Sequence, residues 1–201
     1  MIAALFVLKN GPYYGLKNVD PWDEERDARK YNGPHKVIAH PPCERWGRYW
    51  SGGPSCKTRK KLGDDEGCFA SAINSVRRFG GVLEHPEASH AWRVFGLFAP
   101  PRNGGWVAAG DFIGWTCCVE QGWYGHPARK ATWLYAVGID LPKLKWGRAP
   151  GDFARLDVGF HSKEERARAI KTGACQRLSS RQRKLTPVKF RDVLIKMVEG
   201  K

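Results

Sequence analysis

Lys36-Val-Ile-Ala-His-Pro-Pro-Cys43 decides how this chain folds. Val37, Ile38 and Ala39 read as a short buried strand, and His40-Pro-Pro ends it abruptly. Neither proline donates to a ladder, and each biases its predecessor towards extended geometry. Cys43 is thereby delivered on a stiff loop at a strand's carboxyl end, where open α/β sheets place their ligands. Arg45, Arg48, Lys57, Arg59, Lys60 and Lys61 follow within eighteen residues. Nearby positive charge favours a thiolate over the free thiol, whose pKa is about 8.5. Two readings stand side by side: a nucleophile on a rigid electropositive loop, or a half-buried structural cysteine.

Outward from that stretch, residues 2–7 read as a buried strand closed by a Gly11-Pro12 turn. Residues 13–31 are polar and of mixed charge. Beyond Cys43, residues 46–63 form a Gly/Ser/Lys-rich basic loop. A helix follows, with Asp64-Asp65-Glu66 before it, Phe69, Ala70, Ile73 and Val76 on one face, and Gly80-Gly81 as its stop. Gly81-Val-Leu-Glu-His-Pro86 repeats the strand-then-proline pattern. Residues 88–98 suggest a short helix and residues 104–114 a glycine-punctuated loop. Residues 116–120 and 131–137 read as two more strands flanking Gln121-Gly-Trp-Tyr-Gly-His-Pro-Ala-Arg-Lys130. Strands alternating with helices imply an α/β fold with a mostly parallel, covered sheet. Past Leu141 the chain turns basic and polar, with helices expected at 162–171, where Ser162 and Glu165 resemble a capping box, and near the carboxyl end.

Composition narrows the function. The chain has 201 residues, enough for one α/β domain, and a formal charge of +14 that favours a polyanion, above all nucleic acid. The apolar run at residues 2–8 is far short of the roughly 20 needed to span a bilayer. No signal peptide is expected, and six irregularly spaced cysteines do not read as a disulfide framework; the expectation is a cytoplasmic protein. His40, Cys43, Cys56 and Cys68 have no Cys-x-x-Cys spacing to support a zinc site. His85-Pro-Glu87 lacks the cysteine pair of zinc deaminases. No metal is expected.

Three loops therefore bring a thiol, a carboxylate and a cation to three strand ends. Cytosine C5 chemistry needs that set, because C5 becomes nucleophilic only after something adds at C6. Here the chain resembles the DNA cytosine-C5 methyltransferases. Pro42-Cys43 resembles their Pro-Cys nucleophile motif, and Leu83-Glu84-His85-Pro86 their Glu-Asn-Val or Glu-Asn-Pro motif. Residues 121–130 resemble, imperfectly, their Gln-x-Arg-x-Arg segment. The order matches, as do the gaps of 41 residues from Cys43 to Glu84 and 45 from Glu84 to Arg129. The resemblance covers residues 36–138.

It implies a Rossmann-like methyltransferase core at 1–140, truncated on its amino-terminal side. A reduced basic target-recognition or connector region follows at 141–185, and a terminal helix at 186–201 packs back on the core. Cys43, Glu84, Arg129 and Lys130 would be catalytic, with His40, Arg45, Arg48, His85 and Gln121 at the substrate; read from the residues alone, His40 and His85 lean towards structural histidines. DNA would be the partner, held by residues 45–61 and 148–189 with relaxed or short-context specificity. S-adenosylmethionine is the implied cofactor, with Phe6, Asp20, Asp27 and Pro41 as candidate contacts. Yet the family's Phe-x-Gly-x-Gly loop is missing after the first strand, and only 36 residues separate Phe6 from Pro42. The chain resembles a pared-down, phage-type relative. The alternatives are a nucleic-acid-binding scaffold without transfer activity, and a cytosine-modifying enzyme with a different donor.

Overall fold

A computed structural model describes residues 1–52, 57–156, 162–172 and 178–200. Cys56 of the basic loop and Cys175 lie outside the described residues.

The strand read at residues 37–39 is β3 (Lys36–Ala39), near the centre of a seven-stranded sheet. In chain order the others are β1 (Ile2–Leu5), β2 (Val19–Trp22), β4 (Gly81–Pro86), β5 (Val107–Ala108), β6 (Trp115–Glu120) and β7 (Ala131–Val137). The spatial order is β2-β1-β3-β4-β7-β6-β5. β2, β1, β3 and β4 run parallel, whereas β4–β7, β7–β6 and β6–β5 pair antiparallel. The sheet is thus mixed, a correction to the mostly parallel sheet expected from alternation. The cause lies between β6 and β7, where residues 121–130 are too short for a crossover and close a hairpin instead.

Period-two alternation assigns side chains to the two faces. Ala3, Leu5, Val37, Ala39 and Leu83 meet Phe69, Ile73 and Val76 of α1 (Cys68–Phe79). Ile2, Ala4, Ile38, Val82 and Leu134 meet Phe190, Leu194 and Met197 of α5 (Val188–Glu199). β1 is buried along its whole length. Its neighbours β2 and β3 lie on opposite sides, so the connections diverge and leave a crevice at the carboxyl ends of β1 and β3.

Asp65, not the run of acids as a whole, starts α1. Its carboxylate accepts from the Gly67 and Phe69 amides and from Trp46 Nε1 at 2.7 Å, which ties the loop after Cys43 to the helix. β2 was hidden in the polar segment because it is a half-exposed edge strand, where Pro21 is tolerated. The helix expected at 88–98 shortens to α2 (His90–Val94). In the carboxyl-terminal third lie α3 (Lys163–Thr172) and α4 (Ser180–Lys184), the latter opened by a capping box between Ser179 and Gln182.

Candidate functional site

The carboxyl ends of β3 and β4 and the start of β7 lie along one edge of the sheet. His40 follows Ile38 and Glu84 follows Val82 on the α5 face. Their side chains meet there, with His40 Nδ1 3.1 Å from Glu84 Oε2. The other carboxylate oxygen accepts from Gln121 Nε2 at 2.8 Å, and the same amide nitrogen donates to Thr132 Oγ1 at 3.0 Å. His40 Nε2 lies 2.9 Å from the Tyr13 hydroxyl, which comes in from the loop after β1. Five residues from five parts of the chain thus form one largely buried polar line.

Glu84 is 7% exposed. Burial is the largest single influence on it and pushes its pKa up. The opposing influences, led by the His40 hydrogen bond and the Lys130 ammonium, outweigh burial and hold the carboxyl at about 2. Cys43 is half-buried at the mouth of this arrangement. Burial raises its thiol pKa, Glu84 raises it further, and Lys130 and Lys184 pull it down only in part. That corrects the electropositive thiolate read from sequence. Arg45 turns its Nη1 to the Trp50 carbonyl, Arg48 lies over the Tyr49 ring, and Lys57, Arg59, Lys60 and Lys61 are solvent-exposed. Proximity in sequence did not become proximity to the sulfur.

Lys130 is buried with φ at +43°, and its Nζ donates to the Leu185 carbonyl at 3.0 Å. Lys184 bridges to Glu44 at 2.6 Å. Residues 179–185 are therefore fastened beside the cysteine by two lysine contacts, a neighbour that sequence reading did not anticipate.

Other expected residues lie elsewhere. Arg129 donates to the carbonyls of Ala149 and Gly151 and covers the Phe153 ring. His85, one residue from Glu84 on a strand, points to the opposite face. There it meets Phe69 edge-on and stacks on Trp92, and neither ring nitrogen has a hydrogen-bond partner. Burial lowers its pKa to about 4. Asp20 is held by Arg26 and Trp22 Nε1, and Asp27 by Arg29 in the turn Ala28–Lys30. Phe6, in the left-handed region at φ +57°, packs against the α1-side core, and Pro41 is buried. A cavity of about 270 Å³ between Ser89, His90, Trp92 and Trp133 includes neither Cys43 nor Glu84.

Among the described residues, no group of three or more His, Cys, Asp or Glu side chains is placed to hold a metal ion. No described helix is long and apolar enough to cross a membrane. Searches against protein-family models, curated proteins and solved structures returned no match.

Proposed function

We propose that this chain is a DNA-modifying enzyme, built on a Rossmann-like methyltransferase-type core, that activates cytosine at C5 through a transient bond from Cys43 to C6. The observation that carries the reading is the convergence of thiol, carboxylate and ammonium, Cys43, Glu84 and Lys130, at the carboxyl edge beside the crevice of the sheet. A flipped cytosine presents N3 to Glu84. As Sγ bonds to C6, Glu84 receives the thiol proton and passes it to N3. The C5=C6 pair moves to C4–C5 and the C4=N3 pair to N3, so the addition is balanced. C5 is then an enamine carbon and takes an electrophile. Loss of the C5 hydrogen as a proton to solvent and expulsion of Sγ restore the ring, and the N3 proton returns through Glu84. Lys130 offsets negative charge on the base or backbone.

S-adenosylmethionine, the donor implied by resemblance, supplies an electrophilic methyl carbon when bound. The residues assigned to it do not fit such a group. Asp20 and Asp27 are saturated by arginines, and no glycine pair follows β1. That misfit favours the second reading, a cytosine-modifying enzyme with another electrophile. DNA is the proposed polyanion, met by the exposed cations of residues 57–61 and by Arg181 and Lys184 of α4. Such contacts position a backbone without reading sequence, so specificity would be relaxed.

An oligonucleotide carrying 5-fluorocytosine tests the reading, because fluorine cannot leave as a cation and the adduct persists. Where S-adenosylmethionine is the donor, wild type should gain the mass of the DNA strand in its presence and Cys43→Ser should not; with another electrophile, wild type should still exchange the C5 hydrogen and Cys43→Ser should not. Absence of both the adduct and any exchange of the C5 hydrogen in ordinary cytosine would overturn it.

A further inference from the structure

The cytosine reading asks one carboxylate to stay ionised in a buried site and to face N3 in a fixed orientation. Glu84 alone cannot do this, since burial favours its neutral form. Tyr13 is 2% exposed, and burial raises its pKa well above the usual tyrosine value, so its hydroxyl carries a proton. That hydroxyl lies 2.9 Å from His40 Nε2. When Tyr13 donates there, Nε2 must accept, and the ring proton lies on Nδ1, facing Glu84 Oε2 at 3.1 Å. The opposite tautomer would set two acceptors, Nδ1 and the Glu84 carboxylate oxygen, against each other. Gln121 fixes the second oxygen and is itself fixed by Thr132. Both ring nitrogens of His40 are thus used within the protein, which leaves none for a nucleobase.

We infer that Tyr13 and His40 are positioning residues that hold Glu84 as an oriented carboxylate for proton transfer between Cys43 and the base. The inference rests on the cytosine reading and adds to it two residues acting through a third. Besides His40 and Gln121, Lys130 and Cys43 act on Glu84, as does His85 through the sheet from the opposite face; Arg191 and Asp192 of α5 act on Tyr13.

Exchange of the C5 hydrogen of cytosine in a DNA oligonucleotide with solvent deuterium reads the relay without any donor. His40→Asn keeps an amide nitrogen near the Nδ1 position, His40→Gln places one near Nε2, and His40→Phe keeps neither. If His40 acts through Nδ1, Gln and Phe should lower the maximal exchange rate roughly 10- to 100-fold, the scale of a hydrogen bond to a charged group. DNA half-saturation should stay unchanged, and Asn should recover most of the rate. Tyr13→Phe should cause a smaller loss of the same kind. In the Gln and Phe variants Glu84 loses its donor at Oε2, so the acid limb of the exchange profile should move up in pH; in the Asn variant it should not. Denaturation curves establish that each variant is folded. Wild-type exchange with His40→Gln as fast as wild type, or with His40→Asn no better than His40→Phe, would overturn the relay and leave the cytosine reading standing. Wild type without exchange would overturn both.

Discussion

Replacing His85 by Phe separates a substrate histidine from a structural one. His85 is 0% exposed, its ring nitrogens are unpartnered, and its folded-state pKa is about 4 against an ordinary 6.5. Between those values the unfolded chain binds a proton that the folded chain excludes. Stability therefore falls as pH drops from 6.5 towards 4. A gap of that size corresponds to about 3 kcal/mol at 1.36 kcal/mol per pH unit. Glu84 and the Pro42 carbonyl oppose the shift in part, the carbonyl without hydrogen-bonding geometry. Phe removes the titrating group and two unsatisfied polar atoms, and it keeps the contacts with Phe69 and Trp92. Near neutrality the variant should match wild type or exceed it by about 1 kcal/mol, since relief of unsatisfied nitrogens is offset by a larger ring. Urea unfolding followed by tryptophan fluorescence across this pH window reads the difference. The variant's advantage should grow by about 3 kcal/mol towards the acid end, with unchanged m values. Parallel curves would refute the burial argument. Loss of cytosine exchange in a stable His85→Phe would return His85 to the substrate.

Glu84 works in a lower window with the same sign, because its depressed folded pKa gives stability that is complete above 4.5 and is lost as pH falls towards 2. Glu84→Gln should cost about 3 kcal/mol near neutrality, leaving one of its two donors without an acceptor and Lys130 without its nearby opposite charge, and the gap to wild type should close below pH 4.5 in chemical denaturation. Cys43 should alkylate slowly with iodoacetamide at mildly alkaline pH. Glu84→Gln should speed that reaction and Lys130→Met slow it, as followed by intact mass. Gly81→Ala should be among the most destabilising substitutions, since a Cβ there would lie 1.9 Å from the Val37 carbonyl oxygen at φ +133°, and thermal unfolding should show a loss of several degrees or no folded protein.

The sequence made β1, β3, β4, β6, β7, α1 and α5 legible because each buries a face with a clear period. β2 escaped because Asp20 and Pro21 mark an edge strand as though it were a loop, and β5 has only two residues. The hairpin between β6 and β7 was readable in principle from its ten-residue connection. Strand alternation likewise could have separated Glu84 from His85, whose side chains leave opposite faces. Tyr13, Thr132 and the 179–185 segment were beyond reach, since each meets the site only through pairings set by the whole sheet and by α5. Charge counting failed at Cys43 for a related reason. Arg45 and Arg48 spend their side chains on Trp50 and Tyr49, whereas Lys130 and Lys184, remote in sequence, are the cations that act on the sulfur.

The central claim is that Cys43 adds to cytosine C6, and that addition labilises the C5 hydrogen whatever the electrophile. The most direct measurement is mass-resolved exchange of that hydrogen in a DNA oligonucleotide in deuterated buffer, without donor, for wild type and Cys43→Ser. Deuterium at C5 with wild type and none with Cys43→Ser is the predicted result. No incorporation with wild-type protein shown to bind the oligonucleotide, or equal incorporation with Cys43→Ser, would contradict it.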